Sequence, residues 1–252
     1  AEFFGPIFET ILPLFMFLIL FVTFCKVDFR QLRPVAWHFW VGVFQVLFIG
    51  VLMALMLLDE DSSRYDVRGT TCESAIDTKV LMEALLMCII SPCATAAAVV
   101  TQKLGGSLEQ TTTYTFLSNF ITVLLVPVCF PMIEKGADIS FMSAFLKILY
   151  QVVVLLVVPM LLAYIVKHTM HRFHQKIISI KDLSFYLWGC SLMIVTGTTV
   201  KNILHAEASV LFLGMIALLG LVLCIIQFAV GRVIGHFFGR AQEAGQALGQ
   251  KN

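Results

Sequence analysis

The sequence carries too little charge for a protein whose surface faces water. Only 13% of its 252 residues are Asp, Glu, Lys or Arg, whereas soluble domains carry about 25%. Because 59% of the residues are apolar and the mean hydropathy is +0.92, most of the surface must face lipid or other helices. This composition excludes an ordinary globular enzyme. The net charge of +1 gives no reason to expect a nucleic-acid partner.

Motifs of several functional classes are also missing. The seven cysteines are scattered without a CxxC pair, so the sequence indicates neither a zinc site nor a disulfide framework. We find no Ser-His-Asp arrangement and no phosphate-binding loop, so we assign no enzyme activity and expect no cofactor. Glu2 and Glu9 flank the first apolar run in place of the basic region of a signal peptide.

Long apolar runs dominate what is present. A helix needs about 20 mostly apolar residues to cross the hydrocarbon core, and lipid favours helices because each one satisfies its own backbone. The run 152–158 has no alternation of period two, which argues against barrel strands. We therefore predict an all-α polytopic membrane protein. Seven segments meet the length criterion: 8–25, 36–58, 78–104, 110–133, 141–167, 182–204 and 209–237.

The connecting segments alternate in charge. Segments 26–34 and 167–181 are basic, whereas segment 59–77 holds six acids against two arginines. Because positively charged loops remain in the cytoplasm, the basic connections are predicted to lie inside. The N-terminus of the chain is then outside.

Span 78–104 contains a helix-breaking sequence. Pro92 lacks an amide donor and clashes with the preceding turn, and small residues follow it over 93–98. Transporters often build binding sites at mid-membrane from such interrupted helices. A kinked packing helix is the alternative, because proline and small residues are common in membrane helices.

The span that follows opens with a run of hydroxyl groups. Thr111 to Thr113, Thr115 and Ser118 are succeeded by Asn119, and polar residues within membranes usually face the bundle interior. Hydroxyl groups can also satisfy themselves on local carbonyls. At the end of the chain, Lys251 is either inside a membrane helix or solvated beyond it, and composition does not decide between these two positions.

These motifs, in their order, resemble the bile acid:sodium symporter (BASS) superfamily. The segment from Pro92 through Thr95 and Ala96 to Gly105-Gly106 is similar to the family's first crossover helix. The Gly249-x-x-Asn252 ending is similar to the start of its second crossover helix, and 25–34 is similar to the turn before its third helix. The resemblance is closest to the bacterial branch.

The resemblance implies ten helices in two inverted repeats of five, forming a core domain and a panel domain with two crossing, discontinuous helices. The given chain would hold the family's helices two to eight, so we suspect missing helices at both ends. The panel-type helices would be 8–25, 141–167 and 182–204. The core-type helices would be 36–58, 78–104, 110–133 and 209–237, with the second crossover starting at 241–252.

The resemblance also implies a secondary active transporter of bile acids or other small organic carboxylates, working by alternating access in the bacterial inner membrane. We predict substrate binding at Thr95, Ala96, Asn119 and Asn252. The positions of the ion site, or of its remnant, are Gln45, Ala97, Ala98, Thr111, Thr115, Gln246, Ala247, Gln250 and Lys251.

The implied sodium site is largely replaced. The family's Ser-Asn pair falls on Ala97 and Ala98, its glutamate on Ala247 and its glutamine on Lys251, whereas hard cations require several oxygen ligands. We hypothesise that Lys251 substitutes for sodium and contacts Gln45 and crossover carbonyls. Coupling would then be to protons, since burial disfavours a charged lysine, or would be absent.

Two other functions remain open from the sequence. Seven spans also suit a membrane receptor or sensor domain, although such a protein would not need a proline-broken helix beside a hydroxyl-lined one. A passive channel would show flux without saturation.

Overall fold

The predicted all-α architecture is confirmed in a computed structural model of the protein. The structure describes residues 5–65, 78–133, 141–206 and 209–251, and the regular elements among them are helices. Most of the acidic connection 59–77 and the predicted site residue Asn252 lie outside the described residues.

The helices follow the predicted spans closely. Five of the described helices are long and apolar enough to cross a membrane, and the apolar stretches Ile11–Lys26 and Val80–Ile90 are shorter. The helices are α1 (Gly5–Lys26), α2 (Ala36–Tyr65), α3 (Thr78–Ile90), α4 (Ala97–Lys103), α5 (Leu108–Ile133), α6 (Phe141–Val152), α7 (Val158–Thr169), α8 (His171–Ser179), α9 (Leu183–Leu204), α10 (Val210–Phe237) and α11 (Ala241–Gly249).

The predicted span 78–104 is two helices and not one. Helix α3 ends at Ile90, and α4 begins only at Ala97, with Pro92 in the gap between them. A proline removes a backbone donor and disfavours the helical conformation of the residue before it. The alternative of a continuous, merely kinked helix is therefore wrong. Span 141–167 stays helical, with one π-helical turn at Val153–Val157 between α6 and α7.

The helices form two groups by their contacts. In the first group, α1 packs against α7, α8 and α9. In the second group, α10 packs against α3 and α11, while α5 packs against α2 and α4. The two groups meet where α5 contacts α6 and where α4 contacts α9.

The basic connections lie together at one end of the molecule. The ammonium of Lys26 donates to the carbonyls of Ile180 and Lys181, at 3.1 and 2.6 Å. Glu243, at the start of α11, accepts from the backbone N–H of Ser107 at 3.0 Å. The contacts of Lys26 join the two basic segments that the charge pattern assigned to the same side of the membrane.

Helix α11 lies close against α10 because α10 presents a stripe of small residues to it. Gly231 and Gly235 are buried on this face, one turn apart. A Cβ atom at Gly231 would lie 3.0 Å from the Cα of Gly245, so no larger side chain fits there. Small residues allow membrane helices to approach this closely.

We expect Gly231→Ala to lower the stability of the protein, because overpacking a close contact costs about 1–3 kcal/mol. Thermal unfolding in detergent measures this as a lower Tm. Gly220→Ala is the matched control on the same helix, since nothing lies within 4 Å of a Cβ there. Equal Tm values for the two variants would contradict the close approach of α10 and α11.

Candidate site at the crossing of two interrupted helices

The break after α3 pairs with the segment that follows α11. Cys93 and Lys251 form an isolated antiparallel β-bridge, and the N–H of Ala94 donates to the carbonyl of Gln250 at 2.9 Å. The backbone that follows α3 thus meets the backbone that follows α11. Interrupted helices expose backbone groups and helix ends that can interact with ions and charged solutes.

Helix α5 secures the break with one stripe of polar side chains. Ser118 accepts a hydrogen bond from the N–H of Cys93 at 2.8 Å, and the hydroxyl of Thr122 donates to the carbonyl of Ile90 at 2.9 Å. One turn before Ser118, the hydroxyl of Tyr114 donates to Oε1 of Gln45 at 3.1 Å. Our sequence reasoning did not assign these roles, although a spacing of four residues places 114, 118 and 122 on one helix face.

The predicted residues of α5 lie on the neighbouring stripe and bond mainly along their own helix. The hydroxyl of Thr111 donates to the carbonyl of Ser107 at 3.1 Å, that of Thr115 to the carbonyl of Thr111 at 3.0 Å, and the amide of Asn119 to the carbonyl of Thr115 at 2.8 Å. Thr115 also approaches the sulfur of Cys93 at 3.7 Å. These side chains thus satisfy themselves locally, and Thr115 also contacts the crossing through Cys93.

The alanines that replace the family's ligand residues are packed in protein. Ala97 and Ala247 belong to the same buried apolar cluster as Cys93 and Tyr114, and Ala98 is buried beside it. Methyl groups in these positions offer no oxygen to a cation. The structure therefore brings Ala97 and Ala247, two of the predicted ion-site positions, into one cluster.

Two buried nitrogen donors at the crossing have no acceptor. Nζ of Lys251 and Nε2 of Gln45 are buried without a hydrogen-bond partner among the described residues. The expected contact of Lys251 with Gln45 and with crossover carbonyls is therefore wrong in this structure, because Oε1 of Gln45 is engaged by Tyr114. A buried donor without an acceptor is costly, and a buried charge without a partner more so.

A resident sodium ion does not fit these residues. The described residues contain no cluster of His, Cys, Asp or Glu that could hold a metal ion, and the nearby alanines supply no ligand. The ammonium of Lys251 already places a positive charge at the Cys93 bridge. Hard cations need several oxygen ligands, and this donor set offers hydroxyls that are largely engaged with helix carbonyls.

Thr95 faces a small cavity between the two helix groups. This inner cavity, of about 10 Å³, is about large enough for one water molecule. A second cavity of about 10 Å³ lies between α1, α4 and α9 and shares Thr23 with the first. The lining of the inner cavity is Leu20, Thr23, Phe24, Thr95, Ala98, Thr112, Thr115, Phe116 and Leu156.

The remaining predicted residues are distributed differently. Ala96 is buried beside Thr95. Oε1 of Gln250 is buried without a hydrogen-bond partner among the described residues, while its backbone joins the crossing. Gln246 does not face the crossing with the other predicted residues, because its side chain lines a surface groove with Arg232 and Gln242.

Comparison with known proteins identifies one family. The model of the Sodium Bile acid symporter family matches residues 13–236, which include the first crossover and end just before α11. A search of curated proteins found no match.

Ser118→Ala should destabilise the break. The variant leaves the buried N–H of Cys93 without an acceptor, which costs about 1–3 kcal/mol, so we expect a lower Tm and faster hydrogen exchange in a peptide spanning 91–96. Ser191→Ala is the matched control, because Ser191 is also buried and donates only to a carbonyl of its own helix. An unchanged exchange rate in Ser118→Ala would contradict the assigned bond.

Proposed function

Because the chain belongs to the sodium bile acid symporter family, we propose that it is a secondary transporter that carries a small organic anion by alternating access. Family membership and the long apolar helices identify an integral membrane protein of a transporter family. The nature of the cargo, the coupling and the orientation are the parts that we propose.

The observation that carries this proposal is the pair of buried donors at the crossing. Among the described residues, Lys251 and Gln45 each present a nitrogen without an acceptor, and each is joined to the same buried cluster, through Cys93 and Tyr114. A carboxylate is a pure acceptor and carries the charge that an ammonium needs. We propose that a carboxylate of the cargo accepts from both donors.

We further propose that the lysine replaces sodium as the positive charge of this site. In the family pattern, the cation would neutralise a glutamate and balance the anionic cargo, but here Ala247 provides no acid and Lys251 provides a tethered cation. If Lys251 releases a proton as the site turns from one side of the membrane to the other, uptake is coupled to protons. If Lys251 keeps its proton, uptake is uncoupled. Buried lysines lose their proton readily.

The closed route between the two helix groups supports a carrier and not a channel. The two cavities that share Thr23 each hold only about 10 Å³, so among the described residues neither has room for an organic anion between the basic end and Thr95. A carrier must be closed on one side while its site faces the other. We propose that the basic end lies in the cytoplasm of a bacterial inner membrane, with the N-terminus of the chain outside.

The proposed transport is tested in proteoliposomes. A thermal-shift screen with bile acids, pantoate and other carboxylates, as sodium-free salts, selects the anion that raises the Tm most, and its uptake is then measured. We expect uptake that saturates with anion concentration and changes less than about two-fold between sodium and potassium buffers. Uptake that rises linearly without saturation, or that requires sodium, would contradict the proposal.

Restoring the family's residues should restore sodium dependence. We expect Lys251→Gln combined with Ala247→Glu to gain uptake that sodium stimulates at least about five-fold, because the pair returns ligand oxygens and removes the competing ammonium. Lys201→Gln, which repeats the charge change of Lys251→Gln elsewhere in the chain, serves as the control and should leave sodium without effect. If the double variant binds the anion but ignores sodium, Lys251 does not substitute for the ion.

A further inference from the structure

An ion pair joins the two helix groups at the basic end. Lys103, the last residue of α4, pairs with Asp182, which precedes α9. The same ammonium lies 5.4 Å from the centre of the Phe185 ring. Helix α4 belongs to the crossover and α9 to the other group, so any movement that opens the basic end must separate Lys103 from Asp182.

The cavity behind this pair has an excess of positive charge. Lys26, Lys103 and Lys181 line it, and Asp182 is the one carboxylate in its lining. The ammonium of Lys26 is directed to two backbone carbonyls, so it gains no compensating negative charge there. Asp182 therefore acts as a built-in anion in a site whose remaining charge is positive.

The carboxylate of Asp182 can also bond to the backbone at the start of α9. It occupies the N-cap position of α9, but its side chain makes no capping hydrogen bond. Asp is among the preferred N-cap residues, because its carboxylate can accept from the backbone N–H groups of the first turn. The gain from capping is similar in size to that from a half-exposed ion pair, so release of Lys103 need not leave Asp182 without a partner.

The inner cavity lies next to this one. Thr23, on α1, lines both this cavity and the inner one beside Thr95. Its hydroxyl approaches that of Ser184 at 3.5 Å. An anion that entered at Lys103 would thus follow polar side chains toward the site proposed above.

We propose that Lys103 binds an anion at the mouth, by which we mean the opening between α4 and α9 at the basic end. The organic anion takes the place of the Asp182 carboxylate beside the Lys103 ammonium. Arrival of the anion releases Asp182 to cap α9 and parts the two helix groups. The pair is half-exposed, at 41% and 37% of the two side chains, so a dissolved anion can compete for it. This inference rests on the proposed transport only in naming the cargo as the competing anion.

The test measures access to position 23, which is only 2% exposed. Thr23→Cys is placed in a background whose seven native cysteines are alanine, and labelling by a cationic methanethiosulfonate reagent is timed in detergent. Gel filtration confirms that each variant is folded. We expect Asp182→Asn to speed labelling about five-fold, since the pair that holds the mouth closed is worth up to about that factor.

Ethanesulfonate then serves as the anionic probe, against tetramethylammonium chloride at equal ionic strength. In Asp182→Asn it should slow labelling with a saturable dependence on its concentration, and adding Lys103→Gln should abolish that protection. Lys176→Gln, an exposed lysine at the same end, makes the same charge change and should leave the protection intact.

Several results would overturn the proposed anion site at Lys103. Lys103→Gln and Asp182→Asn could speed labelling equally, with no saturable protection by ethanesulfonate in either variant. The ion pair would then only hold the mouth closed, and the anion site would be overturned. Protection that chloride reproduces, or that survives loss of Lys103, also overturns it. Because this assay requires no transport, intact protection together with failed proteoliposome uptake would count against the carrier role alone.

Discussion

The structure depends on how backbone groups are satisfied where helices break inside a membrane. Lipid offers no hydrogen bonds, so an unwound segment at that depth persists only when other protein groups replace the lost helical partners. The N–H of Ala94 bonds to the carbonyl of Gln250, and that of Cys93 bonds to Ser118. The N–H of Ala94 therefore finds its acceptor in the segment after α11, and the N–H of Cys93 finds its acceptor in α5.

This arrangement brings polar and charged groups into an otherwise apolar protein. Lys251 is carried into the crossing by the same backbone pairing that satisfies the N–H of Ala94, and its buried nitrogen has no hydrogen-bond partner among the described residues. At the basic end, Lys103 is balanced by Asp182. Lys103 lies where α4 meets α9, whereas Lys251 lies at the bridge to Cys93 within the second helix group.

The sequence predicted the helices well and the contacts at the crossing poorly. Apolar runs determine membrane spans because lipid leaves few alternatives, and Pro92 marked the break for an equally local reason. The pairing of Cys93 with Lys251 joins residues far apart in the chain, so no local pattern could reveal it, and the family resemblance implied only that two discontinuous helices cross. For α5 the polar spacing was visible, but packing chose Ser118 over Asn119 as the residue that supports the break.

The most direct test of the account is whether the segment that follows α3 touches the segment that follows α11. In a variant whose only cysteines are Cys93 and the one introduced by Lys251→Cys, mild oxidation followed by intact-mass measurement reports a disulfide, because bridge-paired residues lie within disulfide range. We predict a bond within one chain, and no such bond when Lys201→Cys replaces the change at position 251. A folded protein in which Cys93 never pairs with position 251 would contradict the crossing, and with it the proposed site.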